Sequence, residues 1–312
     1  MNCSEDKGSR FPMQLESQLN ELGEERLVAR LLVGLPTDDS VLVGAGDDCA
    51  VVAHPEKEDL VQLLKTDSVI EGVHYLSETD SLRVGWKAVA RVISDFAAMG
   101  GRPTSLLVTI ALRQEIALKW VDGLYEGIRK CTSRYGATVV GGETVSLPEG
   151  SANLVSIAGV GVVSRAQYLT RGGGEVGDHL WVTGKLGGSF VSERHLDFEP
   201  RVEEGQWIAH EAGANAMMDL SDGLRRDLPR LADASGCGFE IDFSALPCHE
   251  GCGVQEALGD GEDMELLFAA PSGDWVSRFR KAFPQVLLTR IGSLVAEERT
   301  ELGEGGWQHF QV

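Results

Sequence analysis

Leu60-Val61-Gln62-Leu63-Leu64-Lys65-Thr66-Asp67 is the stretch on which the fold turns. Its apolar run has the length and composition of a β-strand, and it stops at an acid, Asp67. The same punctuation recurs along the chain. Val41-Leu42-Val43 leads into Gly46-Asp47-Asp48, and a strand resumes over 49–53. Ala137 to Val140 reads as a buried strand that gives way to Gly141-Gly142-Glu143-Thr144. Ala216 to Asp219 opens Asp219-Leu220-Ser221-Asp222-Gly223, and Gly261-Glu262-Asp263 precedes an apolar run over 264–270. Acids gathered from such turns into one cleft repel one another and any phosphate unless cations are present. Mg²⁺ takes carboxylate oxygens and bridges phosphates, so the pattern points to metal-dependent phosphoryl transfer.

Between the strands lie helices. Trp86, Val89, Ile93 and Phe96 recur at steps of three and four over 82–99, with Gly100-Gly101 as the stop. Asp95 falls in the last turns, where a carboxylate opposes the helix dipole. A metal explains that placement better than solvent does. Further helices are expected over 24–32, 115–135 and 201–211. Ser221 is a good N-cap, so a helix start is expected there, with Asp219 and Asp222 able to face one cleft. That helix N-terminus favours a phosphate, to which Ser221 can donate. Pro229 predicts a break near Asp227. Strands are expected over 106–112, 154–163, 179–183, 238–243 and 286–291. Each half of the chain reads as α+β, a mixed sheet with helices on one face. The domains expected are an N-terminal extension over 1–23, a metal-binding domain over 24–164 and a second α+β domain over 165–312. The glycine-rich stretch over 165–177 joins the last two.

The chain has 312 residues and a formal charge of −20, from 48 acids against 28 bases. Nucleic acid and anionic membranes need a basic footprint, so neither is expected as a partner. No apolar run reaches the roughly 18 residues of a membrane span, and residues 1–10 do not read as a secretory signal. Six scattered cysteines suit a reduced, cytoplasmic protein. Cys248-His249-Glu250-Gly251-Cys252 lacks the second ligand pair of a zinc site. Gly172-Gly173-Gly174-Glu175-Val176-Gly177 spells a dinucleotide fingerprint, but an apolar strand follows it instead of a helix. Gly184-Lys185-Leu186 is not a nucleotide P-loop, and the kinase and hydrolase signatures are absent. Arg171, in a glycine-rich setting, can reach a terminal phosphate with both arms of its guanidinium.

Taken together, Gly46-Asp47-Asp48-Cys49-Ala50, the run from Lys65 to Tyr75 and Ile93-Ser94-Asp95-Phe96-Ala97-Ala98-Met99-Gly100 resemble the thiamine-monophosphate kinase family. So do Leu169-Thr170-Arg171, Met218 to Leu224, Gly261 to Leu266 and the ending Gly306-Trp307-Gln308-His309-Phe310. The likeness runs from about Glu24 to Phe310. It implies a two-domain fold shared with aminoimidazole-ribonucleotide synthetase, selenophosphate synthetase and a hydrogenase maturation factor. It also implies direct transfer of a phosphoryl group from ATP to thiamine monophosphate, with no phosphoenzyme. On the resemblance, several Mg²⁺ ions are held by Asp47, Asp48, Thr66, Asp67, Asp95, Glu143, Asp219 and Asp222. Gly142, Glu143, Arg171 and Ser221 meet ATP, while His74, Glu262 and Trp307 meet thiamine monophosphate. ATP binding by the domain over 24–164 and a homodimer through the N-terminal domains are implied as well.

The chain departs from the family pattern in places. Glu143 stands where an Asp is usual, Lys65 where a small hydroxyl residue precedes Thr66-Asp67, and Gly259-Asp260-Gly261 where Ser-Gly-Gly is usual. The segment over 184–201 is short, as if a helix after Gly187-Gly188 were trimmed. Two alternatives remain: a related ATP-using enzyme with another acceptor, and a non-catalytic nucleotide-binding homologue.

Overall fold

The computed structural model describes residues 19–307 and 309. Residues 1–18, and with them most of the expected N-terminal extension, lie outside the described residues, as do Gln308 and Phe310 of the C-terminal motif. One compact unit spans Thr37–Trp307, and the described residues before it, with His309, belong to a second, small unit. The small unit contains helices α1 (Leu19–Leu22) and α2 (Glu24–Leu32), the latter with the bounds expected.

In the large unit the first sheet has strands β1 (Val41–Val43), β2 (Ala50–Ala53), β3 (Leu60–Ile70), β4 (Arg102–Arg113), β5 (Thr138–Leu147) and β6 (Leu154–Ser164). Their order is β1-β2-β3-β6-β4-β5, antiparallel except for the parallel β4–β5 pair. Strand β3 continues three residues beyond Asp67. It pairs without a break from Leu60 opposite Ser164 to Ile70 opposite Leu154, so Asp67 lies inside the ladder and not at its end. Its side chains alternate between the two faces, as strand geometry requires. Val61, Leu63 and Val69 are buried beneath helix α3 (Ser81–Ala98), while Leu64 and Thr66 lie on an open face.

Asp80 caps α3 by accepting from the Leu82 N–H at 3.0 Å. Helix α4 (Leu118–Tyr135) packs against α3 almost backbone to backbone: a Cβ on Gly127 would lie 1.9 Å from the Leu82 carbonyl oxygen. Strand β5 corrects the expectation of a buried strand. It is the sheet's edge and is exposed along nearly all its length, because no strand among the described residues pairs with its outer side.

The second sheet has strands β7 (His179–Thr183), β8 (Ala216–Asp219), β9 (Gly238–Ile241), β10 (Leu266–Ala270) and β11 (Leu288–Val295), in the order β8-β10-β7-β11-β9. Every pair is antiparallel, so this sheet is not mixed as expected. Nor are its helices confined to one face. Helices α6 (Leu224–Ala234) and α7 (Val254–Gly259) cover one side. The other is covered by α8 (Trp275–Ala282) and by the wide helical turn Ile208–Ala212 that extends α5 (Val202–Trp207). The unbroken apolar runs of β8 and β10 leave no polar face to expose, so both sides must be covered.

Helix α6 starts at Leu224, not at Ser221, with Gly223 at its N-cap. Pro229 sits inside it without breaking it. A proline in a helix costs roughly 3 kcal/mol, and each buried leucine returns roughly 1.5–3 kcal/mol. Leu224, Leu228 and Leu231 are all buried, which is enough to hold the helix together.

Candidate active site

Asp48, Asp95 and Asp219 come from a loop, a helix and a strand end, and their carboxylates meet. One oxygen from each lies within 4.8 Å of the others. All three are buried, with relative exposures of 1%, 6% and 3%. Burial pushes Asp219 up to about 6, and the Asp48 charge adds to the effect. Burial likewise raises Asp95 far above the carboxylate range; Lys65 opposes the rise and Asp219 adds to it. Like charges packed this closely out of water are unstable unless protons or cations join them.

Among the described residues each acid has one side-chain partner. Arg171 Nη2 pairs with Asp48 Oδ1, Lys65 Nζ lies 2.7 Å from Asp95 Oδ1, and the Ser94 hydroxyl donates to Asp219 Oδ2 at 2.5 Å. Asp48 Oδ2 is buried with no hydrogen-bond partner. Three carboxylates on hand with one oxygen unsatisfied fit a hard divalent cation such as Mg²⁺. Asp47, one residue before, accepts the Arg171 backbone N–H at 3.1 Å, and burial beside Asp48 pushes it up to about 6.

A second cluster adjoins the first along α3. Arg91 Nε lies 2.8 Å from Asp67, and its Nη1 lies 2.8 Å from Glu262. Lys87, whose side chain is completely buried, lies 2.8 Å from the same Glu262, and His195 Nδ1 lies 3.0 Å away. Burial alone would raise Glu262, but the His195 hydrogen bond and the two cations hold it down to about 2. Glu262 has a left-handed backbone, φ 50°, unusual for a residue with a side chain. Lys87 also donates to the His74 carbonyl at 2.7 Å, which brings His74 beside Glu262. His74 is buried, its Nδ1 accepts the Ile70 N–H at 3.1 Å, and burial and then Arg91 lower it to about 4, so the ring is neutral.

The remaining expected residues fall around these clusters. Asp222 is paired with Arg230 at 2.6 Å, and its carbonyl accepts the Trp307 backbone N–H at 3.0 Å. Trp307 is 46% exposed. Ser221 lies in the loop between β8 and α6, its carbonyl accepting the Glu262 N–H at 2.7 Å. Two expected metal ligands are not brought in. Thr66 is on the open face of β3, one residue out of phase with Lys65 and Asp67. Glu143 is in register with Thr109, Ser156 and Ser68, on that same open face and three strands from β3. That is roughly 14 Å at ordinary strand spacing. Gly142 shares its edge strand.

Lys87, Arg91 and His195 are site residues that the sequence reading missed. The signal was present on α3, where Lys87, Arg91 and Asp95 stand four apart and form a polar stripe beside the apolar one. The short segment after Gly184 carries a single helical turn, Arg194–Leu196. It is fastened to the Glu262 loop. Gly187 N donates to Asp263 at 3.0 Å, Arg194 lies 2.9 Å from Asp263, and Ser189 donates to the Glu262 carbonyl at 2.7 Å.

The models for AIR synthase related protein match this chain, the N-terminal domain over residues 46–163 and the C-terminal domain over 154–304. The thiamine-monophosphate kinase of Rhodopirellula baltica is 38% identical over 279 residues, 82% of this chain and 84% of its own length. That of Aquifex aeolicus is 31% identical over 94% of this chain and 100% of its own. The structure described as AaThiL complexed with AMPPCP and TMP superposes with a TM-score of 0.81 at 29% identity, over 95% of this chain and 99% of that one.

Proposed function

The chain belongs to the AIR synthase related family, and within it to the thiamine-monophosphate kinases; it phosphorylates thiamine monophosphate with ATP, and we propose that Asp48, Asp95 and Asp219 form the centre where transfer occurs. The observation that carries this placement is the convergence of these three buried carboxylates, one of them with an unsatisfied oxygen. We assign Mg²⁺ to these acids together with Asp47, Asp67 and Asp222; it would neutralise phosphate charge that they alone would repel.

The chain's own groups do the positioning. Arg171 turns from Asp48 to a phosphate oxygen when nucleotide enters, and Ser221 donates to another. Glu262 stays ionised beside the neutral His74 and offers a negative charge to the thiazolium of the substrate. Trp307, half exposed, supplies a flat face for its rings. The short segment after Gly184 supports the Glu262 loop, so its trimming is compatible with turnover. The division we propose follows the two sheets, residues 24–164 and 165–312.

We further propose a homodimer through the open face of the first sheet. Leu64, Leu107 and Val140 are exposed there around a groove of about 430 Å³ that also includes Thr66 and Ala158. Such a face invites a second copy. In that arrangement Gly142 and Glu143 serve the partner's nucleotide and ions, which accounts for their distance from the acids of their own chain. No helix among the described residues is long and apolar enough to cross a membrane. Five free cysteines among the described residues support a reduced, cytoplasmic setting.

Incubation with ATP, Mg²⁺ and thiamine monophosphate, followed by chromatography, tests the reading. Mg²⁺-dependent thiamine diphosphate is expected. Bound ATP without that product would move the acceptor elsewhere in the family.

A further inference from the structure

We propose that the Lys65 ammonium acts as a built-in cation of the acid cluster, in the place of a divalent ion. Lys65 lies on β3, on the same face as Asp67, and reaches Asp95 Oδ1 at 2.7 Å. Its side chain is one-quarter exposed, while that of Asp95 is 8% exposed. The charge is therefore delivered into the cluster from a strand fixed by neighbours on both sides. A lysine ammonium is a compact charge with three donors, close in role to a small ion with oxygen ligands.

Of the four acids Asp48, Asp67, Asp95 and Asp219, the first three each hold one organic cation: Arg171, Arg91 and Lys65. Among the described residues, the Asp219 carboxylate holds the Ser94 hydroxyl and no cation. The Asp48 oxygen without a partner and Asp219 therefore mark where an ion is still needed. The Lys65 side of Asp95 already has its positive charge. This chain accordingly binds one divalent ion fewer than the same acids would without Lys65. The inference rests on the reading that these acids hold divalent ions.

The test counts Mn²⁺ bound per chain by equilibrium dialysis, with the non-hydrolysable analogue AMPPCP present. It compares the wild type with Lys65→Ala, Lys65→Met and Lys65→Arg. Lys65→Ala opens space and removes charge, so it is expected to bind one Mn²⁺ more than the wild type. Its melting temperature should fall in EDTA and recover in Mn²⁺. Lys65→Arg keeps the charge and Lys65→Met keeps the bulk, so both should retain the wild-type count. A Lys65→Ala protein with the wild-type count overturns the inference. So does one that stays unfolded at every Mn²⁺ concentration, because an ion must be able to replace the ammonium. A wild type that binds no Mn²⁺ at all sinks the underlying metal reading instead.

Discussion

Ser94 Oγ donates to Asp219 Oδ2 at 2.5 Å, tying the helix over the first sheet to the last residue of β8 in the second. The bond gives one acid of the cluster polar support from α3. Asp219→Asn and Asp95→Asn are each expected to lower kcat at least a hundredfold, the scale seen when one preorganised charge-stabilising group is lost. Ser94→Ala leaves the acid in place without its donor. A hydrogen bond to a charged group is worth about 1.5–3 kcal/mol, so a loss of roughly ten- to hundredfold in kcat/KM is expected. Steady-state thiamine diphosphate formation, with circular dichroism to confirm folding, checks all three. Wild-type rates in Asp219→Asn would remove this acid from the site.

Glu262 balances two cations, one of them the fully buried Lys87. Its replacement by Ala leaves Lys87 without its carboxylate partner, and breaking such a pair costs about 3–5 kcal/mol. The Lys87→Met/Glu262→Ala double variant should recover part of that loss, because the unpaired charge is gone. Urea denaturation of the single and double variants measures both. Equal stability of Glu262→Ala and wild type would show that the pair is not strained by burial.

Asp263 gives the protein a pH-dependent weakness. Burial pushes it up from 3.8 to about 7, despite the Gly187 N–H and Arg194 that favour its charge. Between these values the folded carboxyl is protonated and the unfolded one is not. Stability therefore falls as pH rises from about 4 to about 7, and the loss is complete above that. Asp263→Asn cannot ionise, so its stability relative to the wild type should grow as pH is raised from 5 to 7.5. Urea midpoints across that range give the comparison, and parallel curves for the two proteins would refute it.

Trp307 is half exposed, so its truncation should cost little stability. Trp307→Ala is expected to raise the KM for thiamine monophosphate roughly tenfold, the loss of about 1–1.5 kcal/mol of ring contact. Trp307→Phe should keep most of the affinity. The KM for ATP should stay at the wild-type value in both. A Trp307→Ala enzyme with unchanged KM for both substrates would take this residue out of the site.

Glu143 on the exposed edge strand tests the dimer. If it serves the partner's site, Glu143→Ala and Asp219→Asn are each inactive alone but form one intact site when paired. Random reassortment of the two in an isologous dimer should give about a quarter of wild-type activity. Val140→Glu, on the open face, should yield monomers by light scattering and abolish the effect. No recovery on mixing, with both proteins dimeric, would place Glu143 outside the site.

Much of this molecule was legible from sequence, and the limits of that reading have physical causes. The three- and four-residue spacing over Trp86 to Phe96 announced α3, and the apolar runs of β3, β7, β8 and β10 announced strands. Capping and breaking signals were less dependable. Ser221 lost the N-cap to Gly223, and Pro229 failed to break α6, because leucine burial outweighs a single local preference. The unbroken apolar character of β8 and β10 was visible in the sequence, yet helices were expected on one face only; runs with no polar side require cover on both faces.

The sequence by itself determined which residue types stand at the ends and faces of each element, because strand and helix periods are local properties of the chain. It therefore determined that many acids lie at or near the ends of apolar runs; the continuation of β3 through Asp67, which puts Lys65 and Asp67 on one face and Thr66 on the other, came from the structure. Only the tertiary structure decided which of those acids meet. Asp48, Asp95 and Asp219 converge because sheet order and helix packing bring together segments far apart in the chain. Glu143 does not join them, because β4 and β6 stand between its strand and β3. Long-range pairing is set by the summed burial of whole faces, and no short window of sequence contains that sum.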